Sequence, residues 1–405
     1  MVNTATQLVG RGISALTTFV ITLLIARQFG ASGFGDFVKV TTYAAFFYLL
    51  ADFGINAIYL QRDVRDHWAS LVTLRLLGGI ALVMLALFIL YLLPGSATQG
   101  YTETVRLGIL FFSPTILLQG FITTTNAIFQ KHFRYDLATW AIFFGSIATI
   151  ILLWLLVYGA HSTNMLVVIG AVAVGTLVTT LSSFLFASRL VGTVRFSPTF
   201  AQMKQLFVPS IPLGITLLFN LVYFHADSVI LTLTRPTAEV GVYGLAYKMF
   251  EVILVFPTFF MNAVYPVMLQ TKNDTRKAAS KQFKKILMSS AGFLFLVSLF
   301  SLLLLWVAAP LVTFVKSDFA PSIGAIRILS LGLPFFFVTA ATMWGLITLK
   351  KQKILAGIYG VSMFVNIIGN ILLIPTYGFV AAAWMTVAGE GIVLVLSILV
   401  LLKNF

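Results

Sequence analysis

The 405-residue chain contains no cysteine, and only 9% of its residues are charged. A soluble domain needs about a quarter of its residues charged to cover its surface, so this scarcity excludes a soluble globular protein. The same figures exclude an intrinsically disordered chain, and the missing cysteines exclude a disulfide scaffold. Acidic residues are especially few: 12 Asp and Glu stand against 26 Lys and Arg, a formal net charge of +14. A basic excess often points to nucleic acid. A chain that is 60% hydrophobic must be read through the membrane first, and no nucleic-acid partner is expected. Catalytic signatures are also missing. There is no GxSxG, HExxH, Walker A or CxxC pattern, and the four histidines are too isolated to ligate a metal. The chain therefore reads as a non-enzyme without a cofactor, unable to hydrolyse ATP itself.

What is present is a series of long apolar stretches. A helical span needs roughly 20 apolar residues, because hydrocarbon cannot satisfy a free backbone. Lys285 and Lys316 bracket a stretch without a single charge, as do Asp136 and His161, and His161 and Arg189. About twelve spans are predicted, at 5–28, 36–60, 70–93, 104–130, 136–157, 163–188, 205–233, 238–270, 286–309, 321–349, 354–374 and 378–402. Strands of a membrane barrel would be about ten residues of alternating polarity, so a barrel is excluded. The first stretch reads as a span and not as a cleavable signal, since no positive region precedes it and Arg11 lies inside it. The longest polar stretch runs only from Lys272 to Lys285.

Basic residues set the expected orientation. With the N-terminus inside, roughly 17 of the 26 fall in cytoplasmic loops, including Arg62, Arg65, Lys131, Arg134, Arg189, Arg195, Lys350 and Lys351. About four (Arg27, Arg106, Arg235 and Lys316) fall in the opposite loops. This bias places both termini in the cytoplasm.

The halves repeat. Gly33-Phe34-Gly35-Asp36-Phe37 opens span two and Glu239-Val240-Gly241-Val242-Tyr243 opens span eight. At the same offset of about 206, Asn56-Ala57-Ile58-Tyr59 and Asn262-Ala263-Val264-Tyr265 close those spans. Pro114 and Pro334, and Gln130-Lys131 and Lys350-Lys351, align at an offset near 220. Six spans per half make both halves enter the membrane from one side. The expected architecture is two six-helix lobes related by a pseudo-twofold axis along the membrane normal, with a substrate path between them. The expected lobes are 1–190 and 205–405, joined by a cytoplasmic linker at 191–204 that contains Pro198 and Thr199.

Ionisable groups in hydrocarbon cost several kcal/mol, so they face a cavity or a partner. Those inside spans include Arg11, Asp52, Arg75, His225, Asp227, Lys248, Glu251, Arg327 and Glu390. Each also has a structural reading. Lys248 and Glu251, three apart, suit an ion pair. Arg327, close to a span end, suits snorkelling to the headgroups, as does Arg75 one turn inside its span. Asp52 suits a pair with Arg11, and Asp227 a cap or a pair with Arg235. Glu390 is mid-span with no partner nearby in sequence. Prolines kink helices; Pro209 and Pro212 make span seven the expected bent helix, while Pro257 and Pro334 interrupt others.

Several of these residues together resemble a family: Arg11, Phe29-Gly30 followed by Phe34-Gly35-Asp36-Phe37, and Asp52-Phe53-Gly54-Ile55. So do Asp227 and the stretch Val240-Gly241-Val242-Tyr243-Gly244-Leu245-Ala246-Tyr247-Lys248. The pattern is similar to the bacterial polysaccharide-export flippases, the Wzx-type O-antigen and capsule transporters of the multidrug/oligosaccharidyl-lipid/polysaccharide (MOP) superfamily, along essentially the whole chain. The resemblance implies an all-α, MATE-like V of two six-helix lobes in the bacterial inner membrane, working by alternating access. It implies an undecaprenyl-diphosphate-linked oligosaccharide as substrate, moved from the cytoplasmic to the periplasmic leaflet. Membrane lipids, a polysaccharide polymerase and a chain-length regulator are the implied partners. Arg11, Arg75 and Lys248 are the candidate cations for the diphosphate. Asp52, Asp227, Glu251 and Glu390 are the candidate carboxylates for the cavity or for proton or sodium coupling. Two other functions compete. A multidrug or small-cation exporter should have an acidic, aromatic cavity, whereas the N-terminal charges here are mostly basic. A membrane-embedded polymerase or ligase should present a sizeable outer loop, and the outer loops here are about a dozen residues or fewer.

Overall fold

The computed structural model describes residues 2–61, 68–192, 200–273 and 277–403. Their side chains are described except at 2–11, 13–16, 61, 158, 216, 220, 272–273 and 277–280. Within this set the chain is helical, with one isolated bridge between Gly95 and Gly100. The helices are α1 (Val2–Asp52), α2 (Ile55–Gln61), α3 (Trp68–Leu92), α4 (Glu103–Phe112), α5 (Pro114–Lys131) and α6 (Tyr135–Leu153). After them come α7 (Met165–Val191), α8 (Phe200–Thr234), α9 (Thr237–Asn273), α10 (Lys277–Ala308), α11 (Ser322–Thr348) and α12 (Gln352–Leu402). Part of the expected linker, including Pro198 and Thr199, and the middle of the basic loop after α9 lie outside the described residues.

Among the described residues, nine helices are long and apolar enough to cross a membrane, or ten with the bent pair Phe200–Phe219 and Leu221–Thr234 counted as one span. The sequence reading had about twelve. The difference lies in two continuous segments, Thr17–Leu60 and Gln352–Leu402, each of which takes in two apolar stretches. In each the helix is broken at a glycine with positive φ: Gly30 at 66° and Gly378 at 59°. α12 doubles back at its break. Ser362 Oγ donates to Gly389 O at 2.7 Å, and Asn366 Nδ2 donates to Met385 O at 3.1 Å. On a straight helix, residues 27 apart would be separated by about 40 Å. Both pairs centre on the segment between Pro375 and Gly378, so the two halves of α12 form an antiparallel hairpin.

The chain divides into two compact units, Met1–His225 and Ala226–Phe405, with the boundary inside α8. The first part of α8 belongs with the first unit because it packs there. Phe207 stacks on Phe53 with ring centroids 6.1 Å apart, and Gln202 Oε1 accepts a 2.6 Å hydrogen bond from Ser70.

Within the first unit, α6 and α7 approach through glycine. A Cβ at Gly145 would lie 1.8 Å from Thr179 Oγ1, and one at Gly175 would lie 1.8 Å from Thr149 Oγ1. Small residues of this kind let helix backbones close on each other in lipid. The turn from α3 to α4 is held by cations. Lys39, almost completely buried, donates to Gly100 O at 2.8 Å, and Arg106 donates to the carbonyls of Tyr101, Leu90 and Leu93. The outward face of α3 is apolar and exposed at Leu77, Met84 and Phe88, as a lipid-facing surface should be.

In the second unit, Arg235 and Glu239 form an ion pair at 2.6 Å, and Arg235 Nη1 reaches Pro375 O at 3.2 Å. The pair lies directly against the α12 turn, where a Cβ on Gly378 would come 2.2 Å from Glu239 Oε2. Ser322 Oγ donates to Val242 O at 2.8 Å and ties α11 to α9. Gly378→Ala is expected to destabilise the protein by about 1–3 kcal/mol, through both the clash and the left-handed backbone. Gly357→Ala, with open space at its Cβ, should leave stability unchanged or slightly raised. Thermal unfolding in detergent compares the two, and equal melting temperatures would contradict the expectation.

Candidate functional site

Helix α1 ends at Asp52 because Phe53 (φ 42°) and Gly54 (φ 74°) take left-handed conformations, after which α2 begins at Ile55. A break inside an apolar segment frees backbone carbonyls that hydrocarbon cannot satisfy. Arg75 on α3 satisfies one of them. Its Nη1 donates to Asp52 O at 3.0 Å, while Nη2 donates to Asp52 Oδ1 at 3.0 Å and Asn56 Oδ1 at 2.8 Å. Asn56 is itself oriented by donating to Thr123 O of α5 at 2.8 Å. Arg75 thus bridges both sides of the break. Gly54 leaves no room for a side chain, since its Cβ would meet Leu213 within 3.0 Å, and Gly214 sits equally tightly against the Phe53 ring.

The sequence reading offered Arg75 as a snorkelling residue and Arg11 as the partner of Asp52. In the structure Arg75 is 2% exposed and is itself the ion-pair partner of Asp52, which is 30% exposed. The side chain of Arg11 lies outside the described residues. Turning inward gives Arg75 a carboxylate and two further acceptors, which outweighs a reach to the headgroups. Arg75 also forms part of the wall of a cavity of about 280 Å³, whose other walls are apolar and include Leu50, Phe53, Leu74, Leu82 and Phe207. The Arg75 Nε is buried without a hydrogen-bond partner.

A second cluster, in the second unit, surrounds Asp227. This carboxylate is 4% exposed. Its Oδ2 accepts a short hydrogen bond from the Tyr243 hydroxyl and one of 3.3 Å from Thr386 Oγ1, and its Oδ1 accepts from the Ser228 amide at 2.6 Å. Three elements, α8, α9 and the second half of α12, therefore meet on one carboxylate. The expected pairing of Asp227 with Arg235 does not form, because Arg235 is taken by Glu239 at the turn between α8 and α9.

The other candidates stand apart from these clusters. Lys248 and Glu251 pair at 2.8 Å, as their spacing suggested, and both side chains are about half exposed. Glu390, 3% exposed, sits in the second half of α12 close enough to interact electrostatically with Tyr359 of the first half. Arg327 places its guanidinium 5.4 Å from the centre of the Trp306 ring. Pro209 and Pro212 lie within α8 as expected and are exposed. The 45° bend of that helix falls between Phe219 and Leu221, beyond both prolines.

Asn56, Tyr243 and Thr386 were not singled out from sequence as site residues. Asn56 stands out in the sequence as a repeat marker, and Tyr243 as a repeat marker and part of the family-like stretch, but an uncharged residue in an apolar stretch carries no signal of what it touches.

These features define a multi-span helical membrane protein with charges gathered at a helix break and at a buried carboxylate. A family model described as polysaccharide biosynthesis protein matches residues 1–272 of the 405, and the chain belongs to that family. The MatE model matches residues 212–372, which with the first match bears out the resemblance to the MOP superfamily. No curated protein matches the chain by sequence. Among solved structures, the lipid II flippase MurJ in an inward closed conformation is similar at a TM-score of 0.77, with 16% identity over 97% of this chain and 86% of that one. An inward-facing multidrug-resistance MATE transporter of the MOP superfamily is similar at 0.74, with 15% identity over 95% and 93%. A MOP-superfamily transporter from Pyrococcus furiosus is similar at 0.62, with 14% identity over 98% and 93%. At these identities the likeness establishes the fold.

Arg75→Met should cost about 3 kcal/mol, the low end for breaking a buried pair because Asp52 keeps some exposure. The double variant Arg75→Met/Asp52→Asn should recover part of that loss, with a coupling of about 0.5–3 kcal/mol. Unfolding of the four proteins in detergent measures it, and strictly additive losses would refute the pairing.

Proposed function

We propose that the protein is a flippase that moves an undecaprenyl-diphosphate-linked oligosaccharide from the cytoplasmic to the periplasmic leaflet of the bacterial inner membrane. It does so by alternating access between its two lobes, with both termini in the cytoplasm. The observation that carries this reading is the match over residues 1–272 to the family described as polysaccharide biosynthesis protein. The substrate's physical demands agree with it. A diphosphate does not cross hydrocarbon unaided, and cations inside the spans supply the counter-charge. We assign that role to Arg11, Arg75 and Lys248. Because Arg75 is held by Asp52 in the structure, a phosphate that engages it does so in competition with the carboxylate. The apolar cavity beside Arg75 then suits the hydrocarbon part of the same molecule.

Driving force is assigned to carboxylates. Asp227 leads, since its charge or proton is read by hydroxyls from two other helical segments, Tyr243 and Thr386. A change in its protonation or in a bound sodium would alter the contacts among all three. Glu390, Glu251 and Asp52 are secondary candidates. A polysaccharide polymerase and a chain-length regulator are the partners the pathway calls for. A second reading, export of small cations or drugs, is favoured by the MatE match over residues 212–372.

The test is reconstitution into sealed vesicles with a fluorescent polyprenyl-diphosphate oligosaccharide, scoring its accessibility on each side. Wild-type protein should translocate it, faster under an imposed proton or sodium gradient. Asp227→Asn should keep basal translocation but lose the gradient's acceleration. Drug efflux without movement of the labelled lipid would replace this reading with the second.

A further inference from the structure

Two arginines at nearly equivalent places in the repeat are treated differently by their surroundings. Arg106 lies eight residues before Pro114, and Arg327 lies seven residues before Pro334. Arg106, on α4, faces the end of α3 and spends its guanidinium on the carbonyls of Leu90, Leu93 and Tyr101. Leu90 and Leu93 lie at and just past the C-terminus of α3, where carbonyls lack intrahelical donors, and Tyr101 lies in the turn before α4. Arg327, on α11, faces the corresponding end of α10, but α10 does not stop there. It continues into a tight 3-10 helix, Ala309–Phe314, that uses the carbonyls for its own hydrogen bonds. What Arg327 meets instead is the face of Trp306, 5.4 Å from the ring centre. Among the described residues its side chain makes no hydrogen bond and no ion pair, and its Nε is buried without a partner. Asp318, the acidic residue nearest in sequence, is paired with Lys316.

We propose that Arg327 and Trp306 form a recognition site for the phosphate group of an anionic membrane lipid, at the end of α11 opposite Lys350 and Lys351. A guanidinium in apolar surroundings without a counter-charge is costly. Its planar fork of donors matches two phosphate oxygens, and stacking on tryptophan fixes the plane of that fork. Tryptophan is also the residue that settles at the headgroup level. The surroundings identify a lipid as the carrier of the phosphate. Leu303, Val307, Leu311 and Phe314 are exposed apolar side chains around Trp306, so a group arriving there does so from the bilayer with its tails alongside them. The unit-1 arginine already has each of its three nitrogens on a carbonyl.

The experiment uses the full-length protein in lipid nanodiscs and in detergent, with phosphatidylglycerol, phosphatidylcholine and inorganic phosphate as probes. Retained lipid is counted by native mass spectrometry, and thermal stabilisation is measured in parallel. Phosphatidylglycerol should be retained and should stabilise, phosphatidylcholine less so, and inorganic phosphate not at all. Arg327→Gln should weaken phosphatidylglycerol retention by about tenfold or more, in line with the loss of a charge-assisted hydrogen bond. Arg327→Lys, which keeps the charge without the fork, should fall between, and it keeps the test decisive if the glutamine variant fails to fold. Trp306→Leu should also weaken retention. Equal retention by wild type and both Arg327 variants would overturn the site. Equal effects of phosphatidylglycerol and phosphatidylcholine would overturn its selectivity for anionic lipid, and stabilisation by inorganic phosphate alone would overturn the lipid as its source.

Discussion

The pairing of Arg75 with Asp52 is the interaction on which the first unit turns, because it answers two demands of the bilayer at once. A charge in hydrocarbon needs an opposite charge, and a broken helix needs donors for its freed carbonyls. Arg75 supplies both, binding the Asp52 carboxylate and the Asp52 carbonyl from one guanidinium and reaching Asn56 on the far side of the break. The break in turn carries Phe53, which stacks on Phe207 and is packed by Gly214, so the start of α8 is fitted to it as well. The same cation that would attract a diphosphate therefore holds three helical segments in place. Engaging it with substrate, as proposed above, would link binding to conformation.

The second unit meets the same constraint with hydroxyls. Asp227 is buried and is held by Tyr243, Thr386 and the Ser228 amide. Arg235, which sequence proximity offered to Asp227, instead clamps the α12 turn through Glu239 and Pro375.

Much of the fold was legible because hydropathy sums over many residues. The apolar stretches at 70–93 and 163–188 became α3 and α7 with ends close to those expected, and the gap at 375–377 became the turn of the α12 hairpin. The helix count differs because the breaks at Gly30 and Gly378 leave two helical halves joined within each of two long segments, each of which takes in two of the expected spans. Partner choice was least legible. A pair three residues apart, Lys248 and Glu251, could be read from spacing. The Asp52–Arg75 pair could not, because it depends on which face of α3 lies against α1. The bend of α8 between Phe219 and Leu221 has no proline to announce it.

Hydrogen exchange tests the central claim most directly, by following peptides across Leu49–Leu60 in wild type and in Arg75→Met under identical detergent conditions. If Arg75 holds the break, the variant should exchange faster at Phe53–Tyr59 while α6 and α7, crossing at Gly145 and Gly175, stay protected. Unchanged protection at Phe53–Tyr59, or a loss spread evenly over the first unit, would contradict it.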